Sequence, residues 1–187
     1  MAAKRMDDVS RAHFAAIPWC ARHIEGDRVT ARTAPSRTPK ATGEDCLFGK
    51  TLKSDSTIIH MLQVYEEPLA ADGHIGEVKA FLSLGRGLNG YPDICHGGLV
   101  MTILDEIIGM LVPINQERKR LPAGPCMTAY LNTTFLKPVP TPSIILTRAR
   151  FTKIEGRKYF AQGTIEGEDG VVLARADALF IHLKSSL

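Results

Sequence analysis

The sequence predicts an α+β domain in which one long apolar helix is wrapped by a curved antiparallel sheet. Three observations predict it. Residues 99–112 repeat apolar side chains at the three-and-four spacing of a helix buried along a broad stripe. Val78, Ala80, Leu82 and Leu84 alternate with Lys79, Phe81 and Ser83, the period of a half-buried strand. After Cys126 the chain divides into four β-rich segments separated by turn signals. A single apolar helix has only the sheet to bury against, so the two must pack face to face.

Taken in order, residues 1–55 are expected to form an N-terminal arm and residues 56–187 the packed domain. The arm opens with a short helix over residues 8–17, stopped by Pro18. Residues 28–43 are rich in Pro and Thr, lack any period, and read as an extended linker or a wrap over the surface. Cys46-Leu47-Phe48 would anchor this arm to the body. Residues 57–66 are β-rich and end before Pro68, and residues 70–76 are turn-like. A Gly-rich loop, residues 85–93, leads from the alternating strand into His96-Gly97-Gly98. The helix over residues 99–112 is then expected to end at Pro113. On its side away from the apolar stripe, Thr102, Asp105 and Gly109 form a narrow strip. The charged run 115–120 reads as a solvated loop. Residues 127–136 form a strand, and Lys137-Pro138-Val139-Pro140-Thr141-Pro142 cannot continue a central one. Residues 144–154 and 157–166 meet at Glu155-Gly156, a tight hairpin signal. Asp169-Gly170 turns into residues 171–183, where Val172, Ala174, Ala176, Ala178 and Phe180 share one face. No internal repeat is present.

Bulk properties exclude several function classes. A chain of 187 residues suits one well-formed core. Its 23 basic and 20 acidic residues are spread along the sequence, for a net charge of +3. That is far from the concentrated basic face of a nucleic-acid binder, so no nucleic-acid partner is expected, although a mild excess favours the approach of an anionic ligand. Cys20, Cys46, Cys95 and Cys126 are scattered, which points to reduced thiols. The six histidines show no metal-ligand spacing, and no metal is expected. No run of about 18 apolar residues is recognised as a membrane span. A cytoplasmic protein is therefore expected. Lys4, Arg5, Arg11 and Arg22 leave a mitochondrial transit segment as the alternative, weakened by Asp7 and Asp8.

The helix entrance is the first candidate for chemistry. Gly97 and Gly98 let a ligand approach the backbone closely, and they stand where unpaired N–H groups and the positive helix end face outward. Such a place suits a developing oxyanion. Gly-Gly alone reads first as a plain turn before a helix. Asp105 adds weight: an acid in an apolar helix is costly to bury unless paired or neutral, and its pKa is expected to move. An exposed polar strip or an interface hydrogen bond would also account for it. Glu106, longer, is read as reaching solvent or a salt bridge. Cys95 is read as a buried thiol rather than a nucleophile.

These residues carry a resemblance. His96-Gly97-Gly98 followed by Asp105 resembles the HGG-x(6)-D segment of PaaI-type hot-dog thioesterases, and is more similar to the eukaryotic acyl-CoA thioesterases called thioesterase superfamily members 4 and 5. The similarity continues through Met127-Thr128-Ala129-Tyr130-Leu131-Asn132, Phe135-Leu136-Lys137-Pro138-Val139-Pro140 and Lys153-Ile154-Glu155-Gly156-Arg157-Lys158-Tyr159-Phe160, in order, over residues 57–184. It implies a hot-dog fold and roles for individual residues. Gly97 N–H would polarise the thioester carbonyl, and His96 would shape the loop. Asp105 would act as general base or as nucleophile, and Thr128 would position water or the acid. Glycine donor and acid usually come from different subunits, so a homodimer or a dimer of dimers is implied. Some relatives carry a polar residue six positions before the histidine, where this chain has Gly90; Asn89 stands one position earlier as a substitute. Gly98, Tyr130 and Asn132, the last two read as sharing a strand face with Thr128, would line the substrate site. Lys137, Arg157 and Lys158 would meet phosphates of coenzyme A or of a carrier protein's phosphopantetheine, with a solvated hairpin tip the other reading.

The function expected is hydrolysis of acyl thioesters, acyl-CoA or carrier-bound acyl or polyketide chains, with coenzyme A or phosphopantetheine as part of the substrate and no separate cofactor. An acyl carrier protein is a candidate partner. Two other classes stay open: a non-catalytic acyl-binding module, and a dehydratase or product-releasing enzyme on the same scaffold.

Overall fold

The computed structural model describes residues 2–70 and 73–184. Its helices are α1 (Ala2–Ala15), α2 (Pro18–Ile24), α3 (Gly97–Gly109) and α4 (Leu111–Glu117). Its strands are β1 (Val29–Thr33), β2 (Ile58–Glu66), β3 (Glu77–Leu84), β4 (Asn89–Tyr91), β5 (Ile94–Cys95), β6 (Cys126–Phe135), β7 (Ser143–Glu155), β8 (Lys158–Glu166) and β9 (Val172–His182). Among the described residues, seven strands form one antiparallel sheet in the order β1-β2-β3-β7-β8-β9-β6, and β4 and β5 pair separately.

Helix α3 lies on one face of that sheet, where Val100, Ile103, Leu104, Ile107 and Ile108 are buried. They meet Ala80, Leu82, Ile145, Ala161, Ala176, Ala178 and neighbouring side chains in one continuous core. Each large aliphatic side chain buried this way contributes roughly 2 kcal/mol, which is why one helix suffices to organise the sheet. The α3–α4 stretch Gly97–Glu117 passes a length and composition test for crossing a membrane, with mean hydropathy 1.7, although Asp105 and Glu106 interrupt its apolar residues. Half of that window is buried in the fold, where the sheet supplies the apolar surroundings.

Several expectations are corrected. The first helix begins at Ala2 and ends at Ala15. Pro18 opens α2 at its first position, where a missing N–H costs nothing. Residues 28–43 are not a bare linker: Val29–Thr33 pairs antiparallel with β2 and forms the sheet edge, followed by a 3₁₀ turn at Pro35–Arg37. Helices α1 and α2 cover the second face of the sheet. Phe14, Cys20 and Ile24 pack there on Leu62, Val64, Phe81 and Leu146. Strand β3 is consequently buried on both faces along its C-terminal half instead of on one.

Pro113 does not end the long helix. The chain bends at Met110 and Pro113 sits in the first turn of α4, where its lack of an N–H is again harmless. The run 115–120 is likewise not simply a solvated loop. Asn115 is fully buried. Its Oδ1 accepts from Ile75 N (2.8 Å), and its Nδ2 donates to Ile75 O (3.2 Å) and Leu111 O (2.8 Å). The hairpin at Glu155-Gly156 forms as expected, with Gly156 at φ +55.

Candidate active site

β5 delivers the chain to the helix entrance. Cys95 N donates to Val139 O (2.9 Å) and His96 N donates to Leu88 O (2.8 Å). His96 then caps α3: its Nδ1 accepts from Gly98 N at 3.0 Å, which places the ring proton on Nε2. Gly98 N–H is thereby committed. Among the described residues nothing accepts from Gly97 N–H, one of the orphan donors of a helix start. A Cβ on Gly97 would meet only the Phe135 ring, at 3.6 Å, an ordinary contact. The packing therefore does not demand glycine at 97, and the bare backbone leaves its amide open to close approach. Gly90 is different. A Cβ there would stand 2.7 Å from His96 Cα, so the polar side chain that some relatives carry here has no room.

The Asn89 amide does not reach toward Gly97. In the orientation that satisfies both its ends, Nδ2 donates to Arg86 O (3.1 Å) and Thr141 Oγ1, and Oδ1 accepts from Asp93 N (3.3 Å). Asn89 thus ties the loop that presents His96. Beside Gly97 lies a shallow groove of about 320 Å³ whose lining includes Phe135, Leu136 and Lys137. Cys95 also faces this groove, but burial pushes its thiol up to about 11, which removes the thiolate needed for nucleophilic chemistry.

Asp105, on α3, meets its partner on strand β6. Thr128 Oγ1 donates to Asp105 Oδ1 at 2.9 Å, leaving Oδ2 free to take a proton or to attack. A register shift between Thr128 and Tyr130 makes this contact. Thr128 stands opposite Phe180 and Tyr130 opposite Leu179, so the extra residue, Ala129, turns the strand over. Thr128 consequently faces the helix. Tyr130 and Asn132, expected on the same face, lie on the other one in this chain. Arg157 and Lys158 stand at the β7–β8 turn, where Arg157 Nη1 donates to His182 O (3.2 Å) and Lys158 pairs with Ile181.

Asp105 is only partly buried. The carboxyl that burial perturbs is the adjacent Glu106, pushed up to about 7 chiefly by desolvation. The Ser36 hydroxyl is close enough to offset this in part, yet it has no partner in hydrogen-bonding geometry. Nor does Glu106 form an expected salt bridge: Arg37 acts on it only at a distance, its guanidinium held by backbone carbonyls, and Arg32 and Lys40 are paired with Glu117 and with Glu44 and Asp45. Ser36 carries no sequence signal, because only the fold of the arm brings it to α3. Glu106 did carry one, as an acid inside an apolar helix.

Comparison with known proteins gives a consistent picture. The thioesterase superfamily profile matches residues 93–174. Acyl-coenzyme A thioesterase THEM4 of Mus musculus is 39% identical over 109 residues, covering 56% of this chain and 44% of that protein. Verlamelin biosynthesis protein B of Lecanicillium is 27% identical over 164 residues, 72% of this chain and 71% of that protein. The chain spans less than half the length of the THEM4 relatives it matches. A phenylacetic acid degradation-related protein from Ralstonia eutropha shares the fold, with a TM-score of 0.54 at 22% identity over 77% of this chain and 92% of that one. The expected α+β hot-dog architecture and the resemblance are both borne out: residues 93–174 match the thioesterase superfamily, and the fold is shared with that solved structure.

Proposed function

We propose that this domain is a cytoplasmic acyl-thioester hydrolase, with acyl-CoA as its first substrate class and carrier-bound acyl chains as a second. The hydrogen bond from Thr128 to Asp105 carries the reading, because it orients one carboxylate oxygen and leaves the other available. THEM4 relatives named for acyl-CoA hydrolysis support the substrate class.

In the reaction, Gly97 N–H donates to the thioester oxygen as charge develops there. Asp105 takes a proton from water while the water oxygen bonds to the carbonyl carbon. Collapse of the adduct breaks the C–S bond, and the proton passes to the leaving thiolate. Alternatively Asp105 attacks directly and water cleaves the resulting anhydride. Gly97 and Asp105 are eight residues apart on one helix, about 12 Å at 1.5 Å per residue. That spacing favours taking the donor from a second copy of the chain. The edge strand β6, with Met127, Tyr130 and Phe135 exposed, offers the surface for that homodimer. Lys137, near Gly97, and the Arg157-Lys158 turn supply charge for the phosphates of coenzyme A or phosphopantetheine.

Asp105→Asn tests the proposal. Its kcat on a panel of acyl-CoAs is expected to fall by about 1,000-fold or more with the fold intact; an unchanged rate refutes the role of Asp105. Single-turnover hydrolysis in ¹⁸O-water separates the two routes, since only the anhydride places label in Asp105. Saturable acyl-CoA binding without turnover would establish a binding module instead, and an α,β-unsaturated product from a 3-hydroxyacyl substrate a dehydratase.

A further inference from the structure

The strip of α3 that carries Asp105 borders a cleft of about 240 Å³, closed on its other side by residues of the N-terminal arm. Asp105, Glu106 and Gly109 line it from the helix, Ser36 from the arm, and Met110 and Phe180 supply apolar wall. Pockets that hold drug-sized ligands run from about 300 to 1,000 Å³, so this one has room for a short acyl group only.

Its polar groups are unevenly satisfied. Arg32 is paired with Glu117 at 3.0 Å, and Lys40 with Asp45 at 2.7 Å and Glu44 at 3.0 Å. Arg37, whose charge reaches Glu106 without touching it, donates to the carbonyls of Phe48 (3.0 Å), Leu52 (3.1 Å) and Ile58 (2.7 Å). Glu106 has no cation in contact. Ser36 is only 8% exposed, and its hydroxyl lies close enough to Glu106 to act on it without reaching hydrogen-bonding geometry, so the pair faces the cleft unbridged. A ligand group that both donates and accepts would bridge the two and satisfy each.

We propose that this cleft receives the acyl group of the substrate, and that Ser36 and Glu106 select a short acyl group carrying a hydroxyl over the plain alkyl chain. The inference rests on the thioesterase reading above. A hydroxyl both donates and accepts, so it satisfies Glu106 whether that carboxyl is protonated or ionised. An alkyl chain would leave Ser36 and Glu106 dry and unmatched. A carboxylate-ended chain would face Asp105, Glu106, Glu44 and Asp45 together.

The test compares kcat/KM for acetyl-, butyryl-, 3-hydroxybutyryl-, 4-hydroxybutyryl- and succinyl-CoA with the full chain. At least one hydroxybutyryl thioester is expected to exceed butyryl by about tenfold, the worth of one good hydrogen bond, with succinyl the poorest of the four-carbon set. Glu106→Leu should reduce that preference below about threefold, while Glu106→Gln, which keeps a donor and an acceptor, retains it. A second variant guards against a Glu106→Leu chain that fails to fold. A Cβ at Gly109 would lie 3.7 Å from the Phe180 ring, an ordinary contact, so Gly109→Leu extends into the cleft. It should slow four-carbon substrates more than acetyl-CoA. The proposal is overturned if butyryl matches both hydroxybutyryl thioesters, if the preference survives Glu106→Leu, or if Gly109→Leu affects acetyl and butyryl alike. Hydrolysis of a long-chain acyl-CoA but of none of these five also overturns the proposal and leaves the thioesterase reading intact, whereas inactivity on long and short acyl-CoAs alike refutes that reading itself.

Discussion

Replacing Thr128 by valine removes one hydroxyl and keeps the shape of the side chain. In the structure that hydroxyl donates to Asp105 Oδ1 at 2.9 Å, and it faces the helix only because of the bulge at Ala129. A hydrogen bond to a charged acceptor is worth about 1.5–3 kcal/mol. If Asp105 depends on it to hold its reactive orientation, kcat falls by about 10- to 150-fold. Thr128 is exposed in the chain, so thermal unfolding should shift by no more than about 2–4 °C. Thr128→Ser restores the oxygen and should return kcat to within a few-fold of the parent. The assay is thiol release from acyl-CoA under saturating substrate, with melting curves on the same preparations. A Thr128→Val protein that keeps its full kcat while Asp105→Asn is inactive would refute the orienting role and leave Thr128 as a packing residue.

Two further predictions separate folding from function. Gly97→Ala should leave stability within about 0.5 kcal/mol, because its Cβ meets Phe135 at an unstrained 3.6 Å. It should nonetheless lower kcat/KM by about 100-fold, the scale of a lost oxyanion donor. Gly90→Ala should do the reverse first, costing about 1–3 kcal/mol in urea unfolding, since its Cβ would stand 2.7 Å from His96 Cα; equal stability of the two variants would refute this distinction. Burial holds Glu106 at about 7 in the folded chain against 4.5 in the unfolded one. Between those values the folded state binds more protons, so this contribution to stability falls as pH rises, by roughly 3 kcal/mol in all. Glu106→Gln lacks the group, and its stability relative to the parent should therefore be greater at pH 8 than at pH 4.5. A difference independent of pH would show that Glu106 is not desolvated.

Much of the site was legible because it depends on local pattern. The three-and-four spacing after Gly98 placed the helix, and the two glycines before it placed its free amides, since both follow from backbone geometry alone. The alternation in residues 78–84 and the Glu155-Gly156 turn likewise specify strands through nearest-neighbour periodicity. Proline was misread twice. At Pro18 and Pro113 a missing N–H is compatible with ending one helix or starting the next, and only the bend at Met110 and the packing of α2 decide which. The β1 strand was hidden because its partner, β2, lies some thirty residues away, and an edge strand with every residue half-buried shows no clean alternation.

What the sequence by itself determined was the presence of the candidate groups: His96-Gly97-Gly98 at a helix start, Asp105 nine residues after the histidine, and Thr128 on a strand. Their relations were decided in three dimensions. A one-residue bulge separates Thr128 from Tyr130 and Asn132, and strand alternation cannot foresee an inserted residue. Burial fell on Glu106 more than on Asp105, because the arm folds back over one side of α3 and the strip beside it stays open. Desolvation depends on what covers a side chain, and that cover comes from residues some sixty to seventy positions away in the chain.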